Sequence, residues 1–279
     1  MKTLMVIASV VLALADGAYA RLAYYEGFSY TTGSTLLSNG YYDGGNGGVW
    51  NVQTGSIEYA NLVTAGEQAY SPTQSGGGGT VIAKLPAAVT ALFQSAGTFY
   101  ITFLANRNNV WVATGILDDP VTPASLTDDI CLGQFSDRNE GGAYAERLFL
   151  PGWGTGWIYT WSSLNLYALR IVNDGTAGAD TVQLVRNPVL INGEPDWATQ
   201  SEISCATADI TKAVDGLRMT SFYYIGSDPP REMYIDEIRI ATSWAEAIGV
   251  RVPAPSSMAV LATGIATLRL GWRMRRRRA

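Results

Sequence analysis

The stretch GTFYITFLA (residues 97–105) decides the fold class. Phe99, Ile101 and Phe103 fall on one parity, and small or polar residues separate them. Period-two alternation of β-branched and aromatic residues builds a strand with one buried and one wetted face, the pattern of an antiparallel two-layer sheet. Working outward, the same reading holds for NVWVATGIL (109–117), DTVQLV (180–185), LRMTSFYYI (217–225) and MYIDEIRI (233–240). In LNLYALRIV (164–172), Tyr167, Leu169 and Ile171 alternate in the same way.

Between these runs lie DGGNGG (43–48), SGGGG (75–79), DDPVTP (118–123) and NDGTAGAD (173–180). Each supplies glycine for positive φ or Asx side chains that close turns. The glycine run at 76–79 reads as a hairpin loop within a single domain. Only LPAAVTALFQSAG (85–97) and SWAEAIG (243–249) suggest short helical turns. The sum is an all-β jelly-roll β-sandwich.

Both chain ends depart from this pattern. Residues 1–20 carry Lys2, an apolar run from Leu4 to Ala15, and the small pair Ala18 and Ala20 in an A-x-A arrangement. That is the layout of a secretory signal peptide cleaved after Ala20. At the other end, Pro253 and Pro255 form an extended hinge, and Ser256 or Ser257 caps an apolar helix over 258–272. The apolar segment from Met258 to Leu270 has 13 residues, fewer than the roughly 20 of a stable span. Arg273 and the cluster Arg275, Arg276, Arg277 and Arg278 hold its end on the cytoplasmic side. A short transmembrane helix with a hard basic stop suits transient retention in a membrane rather than permanent anchoring. The organisation is therefore a signal peptide (1–20), one sandwich domain (21–249) and a tail of proline hinge, apolar helix and arginine cluster (250–279).

Residues 21–249 hold 11 Lys+Arg against 23 Asp+Glu, a net charge of −12. Such a surface repels nucleic acid and anionic lipid, so no nucleic-acid partner is expected. The chain has no histidine, which excludes Ser-His-Asp and Cys-His triads and every histidine-bearing metal site. Its two cysteines, Cys131 and Cys205, leave two readings open: a disulfide, allowed on export, or two buried thiols.

A retaining glycosidase on a sandwich needs two carboxylates on one strand face, roughly 5 to 5.5 Å apart. In REMYIDEIRI (231–240), Glu232 and Asp236 share a parity, but Tyr234 stands between them and Glu237 falls on the other face. No catalytic residue is expected, and Asp236 is read as a partner for a backbone donor. The aromatic cluster PGWGTGWIYTW (151–161) is the candidate glycan-binding stretch. Trp153, Trp157, Tyr159 and Trp161 among glycines suggest a loop with ring faces open to sugars, set against the alternative that they are ordinary core residues. No cofactor is expected. Asp118, Asp119, Asp128, Asp129, Asn173, Asp174 and Asp180 offer oxygen ligands of the kind Ca2+ takes, without EF-hand spacing, and solvated turns account for them more simply.

The tail, Pro253-x-Pro255 followed by the apolar segment and the terminal arginines, resembles the PEP-CTERM sorting signal of Gram-negative bacteria that make extracellular polysaccharide. Ala254 stands where that family usually carries glutamate, and Arg269 falls inside the helix. The resemblance implies processing by an exosortase-type membrane protease and delivery to the cell surface or extracellular matrix. The body phrases YYEGFSYTTGSTL (24–36), GGVWNV (47–52), LYALRIVNDGTAGADTVQLVRNPVL (166–190) and MYIDEIRIATSWAEAI (233–248) resemble the LamG-like branch of the concanavalin A-like lectin/glucanase superfamily. Together they imply a non-catalytic module that binds extracellular polysaccharide or builds a matrix with it. The alternatives are a glycoside hydrolase with an unrecognised carboxylate pair, and a purely structural surface protein.

Overall fold

In a computed structural model of the chain, the described residues are 22–45, 50–73, 80–107, 111–117, 130–133, 139–140, 143–150, 153–160, 164–176, 180–208, 210, 216–222 and 231–250. Between 111 and 160 the backbone alone is described. The signal-peptide residues Ala18 and Ala20, the hinge Pro253 and Pro255, and the apolar and arginine segments after it lie outside the described residues. No helix among the described residues is long and apolar enough to cross a membrane.

The strands are β1 (Leu22–Glu26), β2 (Tyr42–Gly45), β3 (Asn51–Gln53), β4 (Gln68–Thr73), β5 (Thr80–Lys84), β6 (Gly97–Arg107), β7 (Trp111–Leu117) and β8 (Ile130–Gly133). They continue with β9 (Asn139–Glu140), β10 (Ala143–Leu150), β11 (Trp153–Thr160), β12 (Leu164–Asn173), β13 (Asp180–Arg186), β14 (Ile203–Ala208), β15 (Gly216–Phe222) and β16 (Arg231–Ala241). Among the described residues, three short α-helices, α1 (Ala87–Phe93), α2 (Trp197–Gln200) and α3 (Trp244–Ala247), punctuate them.

Every described strand pairing is antiparallel, and the strands form two sheets. The first has the order β14-β13-β12-β6-β16-β4-β3, with β1 also paired to β16. The second has the order β11-β10-β8-β7-β15-β5-β2, with β9 paired to β10. The molecule is thus an all-β, two-sheet antiparallel sandwich, as a jelly roll requires.

Register follows the alternation in the sequence. Phe99, Ile101 and Phe103 of β6 stand opposite Ile171, Leu169 and Tyr167 of β12, and all six face the core between the sheets. Val81, Ala83 and Met219 close that core from the second sheet. Phe103 stacks on Tyr167 with ring centroids 5.0 Å apart, and Phe93 of α1 meets Phe99 edge-on at 4.7 Å. Burying each such side chain contributes roughly 1.5 to 3 kcal/mol.

Two sequence expectations are corrected here. Alternation implied one wetted face, but the first sheet is covered on both. Its outer residues Tyr100, Leu104, Leu166 and Ala168 form a second apolar cluster with Ile57, Leu62, Leu190, Trp197 and Trp244. Segment 54–67, the turn Leu190–Asn192, α2 and α3 supply that cover, so these side chains alternate between two dry layers. The glycine run at 76–79 is not a hairpin loop either. It links β4 in the first sheet to β5 in the second, and the linking residues 74–79 lie outside the described residues.

Candidate functional site

The polar centre of the described molecule sits on β16, which runs between β6 and β4 and is broken by a bulge between Asp236 and Arg239. The bulge switches parity: Met233 and Ile235 face the core before it, Ile238 and Ile240 after it. A single inserted residue does this, and Glu237, at φ 55°, adopts the left-handed conformation that the insertion requires. The alternation rule placed Asp236 and Glu237 on opposite faces. The bulge instead turns both carboxylates toward one hydroxyl, Ser56 Oγ, at 2.5 Å from Asp236 Oδ2 and 3.3 Å from Glu237 Oε1.

Both acids are fully buried, at 0% exposure. Asp236 also accepts from the N–H groups of Ile57 at 2.7 Å and Glu237 at 2.8 Å, so it does partner backbone donors. Glu237 accepts from the N–H of Ala65 at 2.6 Å, from Tyr25 Oη at 3.2 Å and from Arg239 Nη2 at 2.5 Å. Arg239 Nη2 also donates to the carbonyl of Val63, and its guanidinium lies 5.2 Å over the Tyr25 ring. Burial pushes the Asp236 carboxyl up to about 7, against the pull of its hydrogen bonds from Ser56 and Ile57. Burial, with Glu237 beside it, pushes the Tyr25 hydroxyl up to about 12. With both oxygen pairs enclosed, this carboxylate pair ties segment 54–67 to the sheet and does not face a substrate cleft.

Ser56, Tyr25 and the approach of Glu237 to Asp236 were missed in the sequence. The signal was present as a phase slip: apolar positions 233 and 235 are odd, whereas 238 and 240 are even.

The aromatic stretch lies elsewhere. Residues 153–160 form β11, a strand rather than the glycine-bearing loop suggested by composition. β11 stands at the end of the second sheet and pairs with β10 through Arg147↔Trp157, Ala145↔Tyr159 and Leu150↔Trp153. The register shifts between Leu148 and Leu150, where β11 carries one residue more than β10, so Trp157 and Tyr159 keep one parity and Trp153 falls on the other; Trp161 lies outside the described residues.

At the β12–β13 turn, the candidate calcium ligands are engaged by the protein itself. Asn173 Oδ1 accepts from the N–H of Gly175 at 2.6 Å, and its amide donates to the carbonyl of Phe93 at 2.8 Å. Asp174 Oδ1 accepts from the N–H of Thr176 at 2.7 Å, while Asp180 accepts from Asp174 N–H at 3.1 Å and Ile210 N–H at 2.7 Å. No group of three or more metal-ligating side chains occurs among the described residues. Asp118, Asp119, Asp128 and Asp129 lie outside them. Cys205 carries a free thiol buried in the core on β14, whereas Cys131 sits on β8 of the opposite sheet, where the backbone alone is described.

No family model matches the chain, and no curated protein matches it. Solved structures are similar to it. A point mutant of the Emp46p carbohydrate recognition domain aligns at TM-score 0.46 and 6% identity, covering 80% of this chain and 98% of that one. A GH131 β-glucanase catalytic domain from Podospora anserina aligns at TM-score 0.44 and 13% identity, covering 79% and 88%. A chain of botulinum neurotoxin type C, whose cell entry depends on interaction with two ganglioside molecules, aligns at TM-score 0.41 and 11% identity. That match covers 85% of this chain, which spans half the length of the neurotoxin chain. At TM-scores below 0.5 these likenesses assign no activity.

Proposed function

We propose that this chain is an exported β-sandwich protein that binds extracellular polysaccharide, or builds a matrix with it, without catalysis. The observation that carries the reading is the position of β11 at the end of the second sheet, where Trp157 and Tyr159 share one parity on a strand with one described pairing partner, and Trp153 lies across a register shift from them. Same-parity neighbours lie roughly 7 Å apart on a strand, a spacing at which two aromatic residues can take the C–H faces of successive sugar rings. The enclosure of Asp236 and Glu237 favours binding over hydrolysis, because an acid/base pair must reach the glycosidic oxygen.

The concanavalin A-like assignment and the export route belong to the same proposal. The signal peptide takes the chain through the inner membrane, and 258–272 holds it there transiently. An exosortase-type protease then acts at the tail bearing Pro253, Pro255 and Arg275 to Arg278, leaving the protein at the cell surface or in the matrix of a Gram-negative bacterium.

The test is a glycan array combined with a reducing-sugar assay on wild type and Trp157→Ala/Tyr159→Ala. Glycan retention without product, lost in the double variant while its melting temperature holds, is the expected result. Product release would establish the hydrolase instead, and neither signal would leave a purely structural surface protein.

A further inference from the structure

Segment 54–67 covers the outer face of the first sheet, burying Ile57 and Leu62 against it. Much of its polar attachment to that sheet converges on the β16 bulge. Ser56 and the N–H of Ile57 go to Asp236, the N–H of Ala65 goes to Glu237, and the carbonyl of Val63 takes Arg239. Beyond these, Tyr25 Oη donates to the carbonyl of Ala65, Glu67 N–H to the carbonyl of Gly27, and Tyr59 Oη to Asn187 Oδ1.

The charges in this cluster do not balance when both acids are ionised. Glu237 and Arg239 neutralise each other as a buried ion pair, with side-chain exposures of 0% and 4%, and a charged Asp236 leaves one anion over in a dry site. Among the described residues, the groups facing Asp236 supply no second cation. β6 places Leu104 opposite it, β1 brings the neutral hydroxyl of Tyr25 to the cluster, and Glu67 of the segment is turned to the N–H of Gly55.

The geometry does supply a place for one proton. Ser56 Oγ lies within hydrogen-bond range of both carboxylates. A protonated Asp236 donates from Oδ2 to Ser56 Oγ, and the Ser56 hydroxyl then donates to Glu237 Oε1, so every hydrogen is used. Once the proton leaves, the Ser56 hydroxyl can serve only one of the two facing anions.

We infer that the β16 bulge is a proton-operated latch: protonated, it holds segment 54–67 closed over the first sheet, and deprotonated, it loosens the segment. The elevated titration of Asp236 agrees in direction, and places the change near neutral pH. An opened segment hydrates the carboxyl, returning it to the ordinary range near 4, so opening becomes easier as pH rises through the closed-state value.

The test is hydrogen exchange of the purified full chain at pH 6 and pH 8.5, corrected for chemical exchange, comparing the peptide over 54–67 with that over 97–105. Wild-type protection of 54–67 should fall by about tenfold or more relative to 97–105, from the proton linkage. Asp236→Asn, which replaces the carboxyl by a neutral donor and acceptor of the same shape, should keep 54–67 protected at both values. Constant wild-type protection, or a variant that tracks wild type, would overturn the latch. Should the variant not fold, the carbon-13 carboxyl resonance of Asp236 in wild type decides. It must titrate in step with the loss of protection, and a titration complete below pH 5 sinks the idea.

Discussion

When Asp236 is ionised, its Oδ2 accepts from Ser56 Oγ at 2.5 Å, a bond that joins residues 180 positions apart in the chain. This bond favours the ionised carboxyl and draws its titration downward. Ser56→Ala removes the donor and leaves two buried oxygens on backbone N–H groups alone. The variant should lose about 1 to 2 kcal/mol in urea unfolding, and the Asp236 carboxyl should titrate higher than in wild type. A downward movement would mean that Ser56 serves the protonated carboxyl more than the ionised one.

Global stability should carry the same signature. Asp236 titrates near 7 when folded and near 3.8 when unfolded, so the folded state holds the proton more tightly. The resulting stabilisation is fully present below about pH 4 and is lost as pH rises toward 7. Its full size is on the order of 4 kcal/mol, at about 1.4 kcal/mol per pH unit. Urea midpoints should fall from pH 5 to pH 8 in wild type, and fall less in Asp236→Asn.

Gly66→Ala should be among the most damaging single-methyl changes in segment 54–67. Gly66 has φ 96°, and a Cβ there would lie 2.2 Å from the carbonyl oxygen of Gly27. That oxygen is backbone and also accepts from Glu67 N–H, so it cannot yield cheaply. A loss of at least about 2 kcal/mol is expected from strain plus overlap, read as a drop in melting temperature. Gly33→Ala is the control: it has a similar φ of 82° but nothing within 4 Å of the added methyl, and should cost less.

At the β12–β13 turn, Asp180→Ala should cost about 1 to 3 kcal/mol, because it strips acceptors from Ile210 N–H and Asp174 N–H. Excess chelator should leave the wild-type melting temperature in place, since the Asn173, Asp174 and Asp180 side chains already accept protein N–H groups. A chelator-dependent fall would instead establish calcium as part of the fold.

The core was legible because alternation survives in it: Phe99, Ile101 and Phe103 could be assigned to one face from their spacing, and they pack there. The second dry layer was not legible, because Tyr100, Thr102 and Leu104 read as a wetted face until segment 54–67 and α3 are folded over them. The carboxylate pair was misjudged for a local reason. A fixed parity was carried through positions 236 and 237, although the apolar phase shifts from Ile235 to Ile238 and thereby marks the bulge. The partners of that pair were beyond reach, since nothing near Ser56 in the chain points to a residue on the last strand. Composition also misled at Trp153 to Thr160, where glycine suggested a loop and the backbone instead pairs as a strand.

The placement of β16 bears on how the chain acquires its shape. The last described strand is an interior one, flanked by β6 and β4 and joined to β1, so the first sheet cannot assemble until residues 231–241 are available. Contacts of such long sequence separation fold slowly, and a chain still lacking β16 should hold the first sheet in two parts, with the facing edges of β6 and β4 left open.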